Sequence, residues 1–318
     1  MRNTSRHRAL DRSVERSAVA ALVPVCALVP VWLLSLAVFW LPTRLIWRIP
    51  FWVFALGHLA LVVVMFWRPL QTVLVMRMLG ASRATADEAA QLEPAWRSVT
   101  QQLGIRPRRF ALAVLPSEEL NAFACGGSLL VVTSYAIDTL PRDEMTGVLA
   151  HELAHHLGFH TFALTLRQWL SLPIFLLARV GFFLQNVATA ATHSFVSHSS
   201  ALSAVGRLLA ALLNETAWVF LSALLISNRI ASRVERGSEF EADRRAVEMG
   251  FGRELATALR RVDSTERSVS VANGGVGLLS SAASWFDGLV LTHPSARSRV
   301  VRIEALVRRR QERERQTF

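Results

Sequence analysis

Two long stretches of this chain carry no charge. One runs from Ser17 to Thr43 and the other from Ile49 to Trp67. A helix needs about 20 apolar residues to cross a bilayer, so each stretch is long enough to span one. The short Arg44–Arg48 segment between them predicts a transmembrane hairpin over residues 18–67. Trp40, Trp47, Trp52 and Trp67 sit near the ends of the runs, where an interfacial aromatic belt places them. The first run is long for a cleaved signal peptide, has no clear small-x-small cleavage site and is followed at once by a second run.

Two weaker apolar blocks follow, Gln168–Ala191 around Arg179 and Leu208–Asn228 around Glu215. A charge inside a span costs about 3 kcal/mol on insertion scales, which does not forbid spanning. A second hairpin over residues 161–228 is therefore expected, with a pair of buried helices in a soluble core as the alternative. Arg179 and Glu215 are candidate partners by sign alone. With 52% apolar residues and a mean hydropathy of +0.34, the chain is too apolar to be disordered. Two cysteines, Cys26 and Cys125, exclude a disulfide scaffold or a cysteine-rich zinc module.

The formal net charge is +11, and all 35 basic residues are Arg. Arg2, Arg6, Arg8, Arg12 and Arg16 crowd a basic N-terminal tail, residues 1–17, and more Arg fill the segment from Arg297 to Arg315. With an even number of spans, the positive-inside rule puts both termini and the middle segment on the cytoplasmic face. Arg44, Arg48 and Arg207 run against it. Nucleic acid is not the expected partner of the basic tail, because Val300, Val301, Ile303, Leu306 and Val307 form one stripe of an amphipathic helix. The exclusive use of Arg suggests a GC-rich bacterial genome, hence a multi-pass protein of the bacterial plasma membrane.

The chemistry lies in the polar stretches. His151-Glu152-Leu153-Ala154-His155 is an H-E-x-x-H motif. Pro141, Asp143 and Glu144 suit a helix start, and Met145, Val148 and Leu149 supply apolar helical spacing. Histidines at i and i+4 share a face and can hold one metal, with Glu152 beside them in reach of a water. A hydrolytic zinc site needs a third protein ligand. Glu239 is the best candidate; Glu235 and Glu241 are rivals. Asp243 shares a face with Glu239 and can accept the N–H of a ligating histidine. The insert between His155 and Glu239 must cross the bilayer an even number of times for both to reach one ion, and two apolar blocks satisfy this.

Four separated pieces resemble the HtpX-like membrane zinc metalloproteases, the gluzincin family that also includes the CAAX prenyl endopeptidases. Asn121-Ala122-Phe123-Ala124 with Gly126-Gly127 is similar to its N-A-F-A-x-G-G strand, and Leu149–His155 to its L-A-H-E-x-x-H helix. Glu239–Asp243 is similar to its E-x-x-A-D helix, and Thr292-His293-Pro294 with Arg299 to its T-H-P-x-x-x-x-R segment. The likeness covers roughly residues 110–306. Cys125 and Ser295 depart from the pattern, and neither is a proposed ligand. The resemblance implies that Asn121 and Ala122 bind an extended substrate at a sheet edge. It implies that His293 stabilises the oxyanion. It places Arg299 with the substrate-binding residues or against a site carboxylate.

The expected fold is mostly α, with multi-pass membrane helices plus a zincin-like α+β metallopeptidase domain that holds a small β-sheet. Strands are predicted at 110–115, 121–124 and 128–133. A helical linker covers 68–109, the first catalytic half 110–160, and the second half with the basic C-terminal helix 229–318. The expected activity is that of a zinc endopeptidase, with one Zn²⁺ per chain, acting on membrane or misfolded polypeptides in the lipid bilayer. His151, His155 and Glu239 bind the metal, Glu152 is the general base, and Asp243 orients a ligand. An antirepressor-sensor-type signalling peptidase and a non-catalytic zinc-stabilised scaffold are the alternatives. His58, His156 and His160 are read as packing residues.

Overall fold

The computed structural model describes residues 3–158, 160–195, 200–272 and 295–316. Helices dominate. They are α1 (Asn3–Trp47), α2 (Phe51–Val64), α3 (Arg68–Leu79), α4 (Ala86–Gln102), α5 (Ser134–Thr139), α6 (Arg142–Leu157), α7 (His160–Phe195), α8 (Ser200–Met249), α9 (Gly252–Ala272) and α10 (Ala296–Arg315). Four strands make one sheet: β1 (Ser82–Arg83), β2 (Ala111–Leu115), β3 (Ala122–Cys125) and β4 (Leu129–Thr133). The chain divides into two compact units.

One unit holds residues 22–64 and 166–231. Among the described residues, three helical stretches are long and apolar enough to cross a membrane: Ala21–Trp47, Thr161–Thr192 and Ala204–Met249. The expected second span is shorter than its uncharged run. Helix α2 has 14 residues, about 21 Å at 1.5 Å per residue, against the ~30 Å hydrocarbon core. It bends by 83° into α3, and only the bent pair together makes a fourth candidate. The break falls where Trp67 is extended and a proline stands in the first turn of α3, positions that stop one helix and start another.

Inside this unit Leu28, Trp32, Leu36, Ile174, Ala217 and Phe220 are buried, while Leu, Val and Phe side chains cover the outside. Gly181 lets α7 approach α8 closely, since a Cβ there would lie 2.9 Å from the Ala217 Cβ. Trp32 Nε1 donates to His58 Nδ1 at 3.3 Å, so His58 packs between helices as expected. Arg179 and Glu215 form no ion pair among the described residues. Both are exposed, and the Arg179 guanidinium lies over Phe175.

The other unit holds residues 1–21, 65–165 and 232–318. Its sheet order is β1-β2-β4-β3, with β2 and β4 parallel and the outer pairs antiparallel, so β3 is an edge strand. The observed strands fall within a residue of the three expected ones. β1, two residues long, lies in the stretch read as linker. Alternation along β4 builds both faces. Leu129 and Val131 pack with Val75 of α3, Phe123 and Cys125. Leu130 and Val132 join Trp96, Leu149 and Leu153 under α4 and α6. Helix α4 begins with a capping box: Glu88 N donates to Thr85 Oγ1, and Thr85 N donates to Glu88 Oε2 at 2.7 Å.

Helix α6 starts after Pro141 with Asp143 and Glu144 in its first turn, as expected. Arg261 of α9 donates two hydrogen bonds to Glu144, at 2.7 and 3.0 Å. At Gly147 the backbones of α6 and α9 nearly touch; a Cβ would sit 2.3 Å from Leu255 N. That contact fixes the helix that carries the histidine motif.

Candidate active site

Helix α6 presents His151, Glu152 and His155 to the C-terminal part of α8, which presents Glu239 and Asp243. All five are at most 2% exposed. A 3.6-residue period stacks the two imidazoles on one face of α6, and Glu239 and Asp243 on one face of α8. Their ring centroids are 4.8 Å apart and nearly perpendicular. His155 Nε2 lies 3.0 Å from Glu239 Oε1, His151 Nε2 lies 3.5 Å from Glu239 Oε2, and the two Nε2 atoms are 3.3 Å apart.

His151, His155 and Glu239 each offer a ligand atom within 4.8 Å of the others. A tetrahedral ion with ligands at about 2.0–2.1 Å has ligand-to-ligand edges of about 3.3 Å, which these three separations bracket. Two imidazole nitrogens and a carboxylate also match the donor set of hydrolytic zinc sites. The rival Glu241 points elsewhere, accepting from Arg244 at 2.5 and 2.9 Å and from Arg245 at 3.2 Å.

The surrounding groups orient the ligands. His151 Nδ1 is 3.0 Å from Asp243 Oδ1, which turns Nε2 towards His155 and Glu239, and Arg299 Nη2 also lies 3.0 Å from that Nε2. Arg299 of α10, itself 3% exposed, donates to both oxygens of Asp243, at 2.7 and 3.0 Å, and reaches within 3.4 Å of Glu239. Burial and the Arg299 charge oppose protonation of His151, but its bonds to Asp243 and Glu239 prevail and lift it to about 9 before any metal binds. Burial raises Asp243, yet the adjacent His151 and Arg299 hold it down to about 2. Asp243 is thus a fixed negative charge. Arg299 is placed against the carboxylates of α8, the second of the two locations the resemblance implied.

Glu152 Oε2 accepts a 2.8 Å hydrogen bond from Ala124 N of the edge strand. Asn121 and Ala122 stand at the start of that strand, Asn121 held by Thr133 through N and O. The role of Ala124 was not legible in the sequence, because any residue supplies a backbone N–H. The anchorage of the β3–β4 turn was missed as well: Gly127 N donates to buried Gln71 Oε1 of α3 at 3.0 Å. Thr161 Oγ1 donates to His155 O at 3.0 Å and closes the end of α6. His156 faces away from the ligands, its Nε2 2.9 Å from Leu129 O. The oxyanion candidate His293 lies outside the described residues.

A buried site of two helix-borne imidazoles and one carboxylate, with a glutamate held at a strand edge beside it, defines a metallopeptidase, in a chain that also carries helices long and apolar enough to cross a membrane. The profile of Peptidase family M48 matches residues 86–307, and the chain belongs to that family. A Protease HtpX homolog of Salinibacter ruber (strain DSM 13855 / M31) is 28% identical over 252 residues, covering 75% of this chain and 82% of its own length. A Protease HtpX homolog of Acidiphilium cryptum (strain JF-5) is 27% identical over 242 residues, covering 72% and 78%. The crystal structure of S. mikatae Ste24p aligns with 84% of this chain at 16% identity and a TM-score of 0.48; the chain spans 61% of that longer protein.

Proposed function

We propose that this membrane protease is a zinc-dependent endopeptidase that hydrolyses peptide bonds of membrane or misfolded polypeptides, with its catalytic unit and both termini in the cytoplasm. The observation that carries the reading is the mutual reach of His151, His155 and Glu239. Those three residues would hold the zinc, which supplies a Lewis acid and an activated water at neutral pH.

Glu152 takes the proton of the attacking water and returns it to the leaving amine. Its bond to Ala124 N fixes one carboxylate oxygen and leaves the other for that transfer. Asp243 keeps the His151 ring in one tautomer, and Arg299 keeps Asp243 charged. The edge of β3 supports an extended substrate at Asn121 and Ala122. His293 is the proposed oxyanion partner. The Arg-rich termini favour cytoplasmic placement by the positive-inside rule.

The test combines metal analysis with cleavage of a casein-type substrate and of the chain itself, in detergent. Wild type and Glu152→Gln should each hold one zinc per chain, and only wild type should cleave. Cleavage by Glu152→Gln at the wild-type rate would overturn the assignment of the base, and a metal-free yet active wild type would overturn the zinc reading.

A further inference from the structure

Beside the metal-facing side of α8 lies a second cleft, of about 580 Å³, walled by α8 and α10. That volume falls in the range of about 300–1,000 Å³ of small-molecule sites. Phe240, Glu241, Asp243 and Arg244 line it from α8, with Arg302, Leu306 and Arg309 from α10, and the Asp243 carboxylate is already taken by Arg299 and His151. Glu241 is neutralised inside the protein by Arg244 and Arg245. Arg302 and Arg309 are both exposed, and neither meets a carboxylate among the described residues. The cleft therefore presents two uncompensated guanidinium groups.

Their arrangement is ordered. Arg302, Leu306 and Arg309 sit at i, i+4 and i+7, on one face of α10. The Arg302 guanidinium carbon lies 4.1 Å from the centroid of the Phe240 ring. Stacking holds the plane of the group while leaving its edge N–H donors directed outward, the geometry that suits a phosphate. Gly237 also lines the cleft, and a Cβ there would meet nothing within 4 Å. A larger side chain at this position would extend into open space at the cleft without meeting other atoms at its Cβ.

We propose that this α8–α10 cleft binds the phosphate of an anionic phospholipid headgroup, with Arg302 and Arg309 as its guanidinium contacts. The continuity of α8 selects a lipid as the source of the phosphate. The helix runs unbroken from Ser200 to Met249, and the apolar part of this candidate span gives way after Ile230 to a charged surface. Exposed Arg233 and Arg236 follow, seven and four residues before Phe240 and on the same face. A basic run just beyond a membrane helix is where anionic headgroups collect. The bound phosphate ties together the two helices that carry Glu239 and Arg299. The inference needs neither zinc nor cleavage, although the cleft shares Asp243 with the candidate metal site.

The test is native mass spectrometry of the full chain in a non-ionic detergent, titrated with phosphatidylglycerol or phosphatidylcholine. Wild type should retain phosphatidylglycerol at least tenfold better. Arg302→Gln/Arg309→Gln should lose that preference, because both side chains are exposed and removable without disturbing the core. Gly237→Leu, which keeps every charge but fills the mouth, should also lose it. Equal retention of the two lipids by wild type, or an unchanged preference in both variants, would overturn the proposal. Displacement of the lipid by an equal concentration of inorganic phosphate or of an acidic peptide would overturn the lipid assignment in favour of that ligand.

Discussion

Glu152 Oε2 and the backbone N–H of Ala124 are 2.8 Å apart, so the base of the histidine motif is bonded directly to the edge strand. This one bond couples α6 to β3, and it gives Glu152 a structural duty besides its chemical one.

The two duties separate by mutation. Glu152→Gln retains an oxygen that can accept from Ala124 N, whereas Glu152→Ala leaves that N–H buried without a partner, at a cost of about 1–3 kcal/mol. Both variants should be inactive. In thermal unfolding in detergent, Glu152→Gln should melt near wild type and Glu152→Ala clearly below it. Equal melting temperatures would show that the bond carries no stability.

Asp243 connects the metal ligand to Arg299. Asp243→Asn should weaken metal affinity about 10- to 100-fold, the usual effect of removing the carboxylate behind a ligating histidine. It also leaves Arg299 with less compensation in a buried place, where a lone charge costs about 3–5 kcal/mol. Asp243→Asn/Arg299→Met should therefore be less destabilised than the sum of its single variants. Additive losses in a double-mutant cycle would refute the coupling.

Most of the site was legible in the sequence because its parts are side chains at helical spacing: His151 with His155, and Glu239 with Asp243. What escaped was carried by the backbone or by tertiary contact. Ala124 acts through an N–H that every strand residue has, and Gln71 reaches Gly127 from a helix read only as part of a linker. The hydropathy of Ile49–Trp67 gave the right character but not the length, because hydropathy does not register the break at Trp67–Pro69 that ends α2 at Val64. The pairing of Arg179 with Glu215 rested on opposite sign, and sign carries no information about which way two exposed side chains point.

Gly147 offers a test in which helix propensity and packing disagree. Ala is about 1 kcal/mol better than Gly in a helix interior, so propensity alone predicts a gain. The added Cβ would lie 2.3 Å from Leu255 N, a backbone atom that cannot swing aside. Gly147→Ala should force α6 and α9 apart, lose at least the 1–3 kcal/mol typical of overpacking, and lower activity through the displaced histidines. A melting temperature at or above wild type would show that the helix contact is slack.

Cys125 is 2% exposed, and burial pushes its thiol up to about 12. The thiolate is the nucleophile, so native protein should resist maleimide at pH 8. In a Cys26→Ala background, labelling should be negligible until denaturant is added and complete afterwards. Rapid native labelling would place Cys125 at an open surface.

His156 predicts an acid-sensitive component of stability. Burial holds its pKa down to about 4, against about 6.5 in the unfolded chain, despite the Leu129 carbonyl nearby. Between those values the unfolded chain binds a proton that the folded chain refuses, so stability rises with pH across this window. The contribution is fully present above pH 6.5 and fades as pH falls towards 4, by a total on the order of 3 kcal/mol. His156→Gln keeps an amide that can donate to Leu129 O but does not titrate. Metal loss at low pH affects both proteins alike, so the difference between their unfolding curves isolates this one side chain. Wild type should lose ground to the variant from pH 6.5 to 4; parallel curves through that range would mean that His156 is solvated and takes up its proton without unfolding.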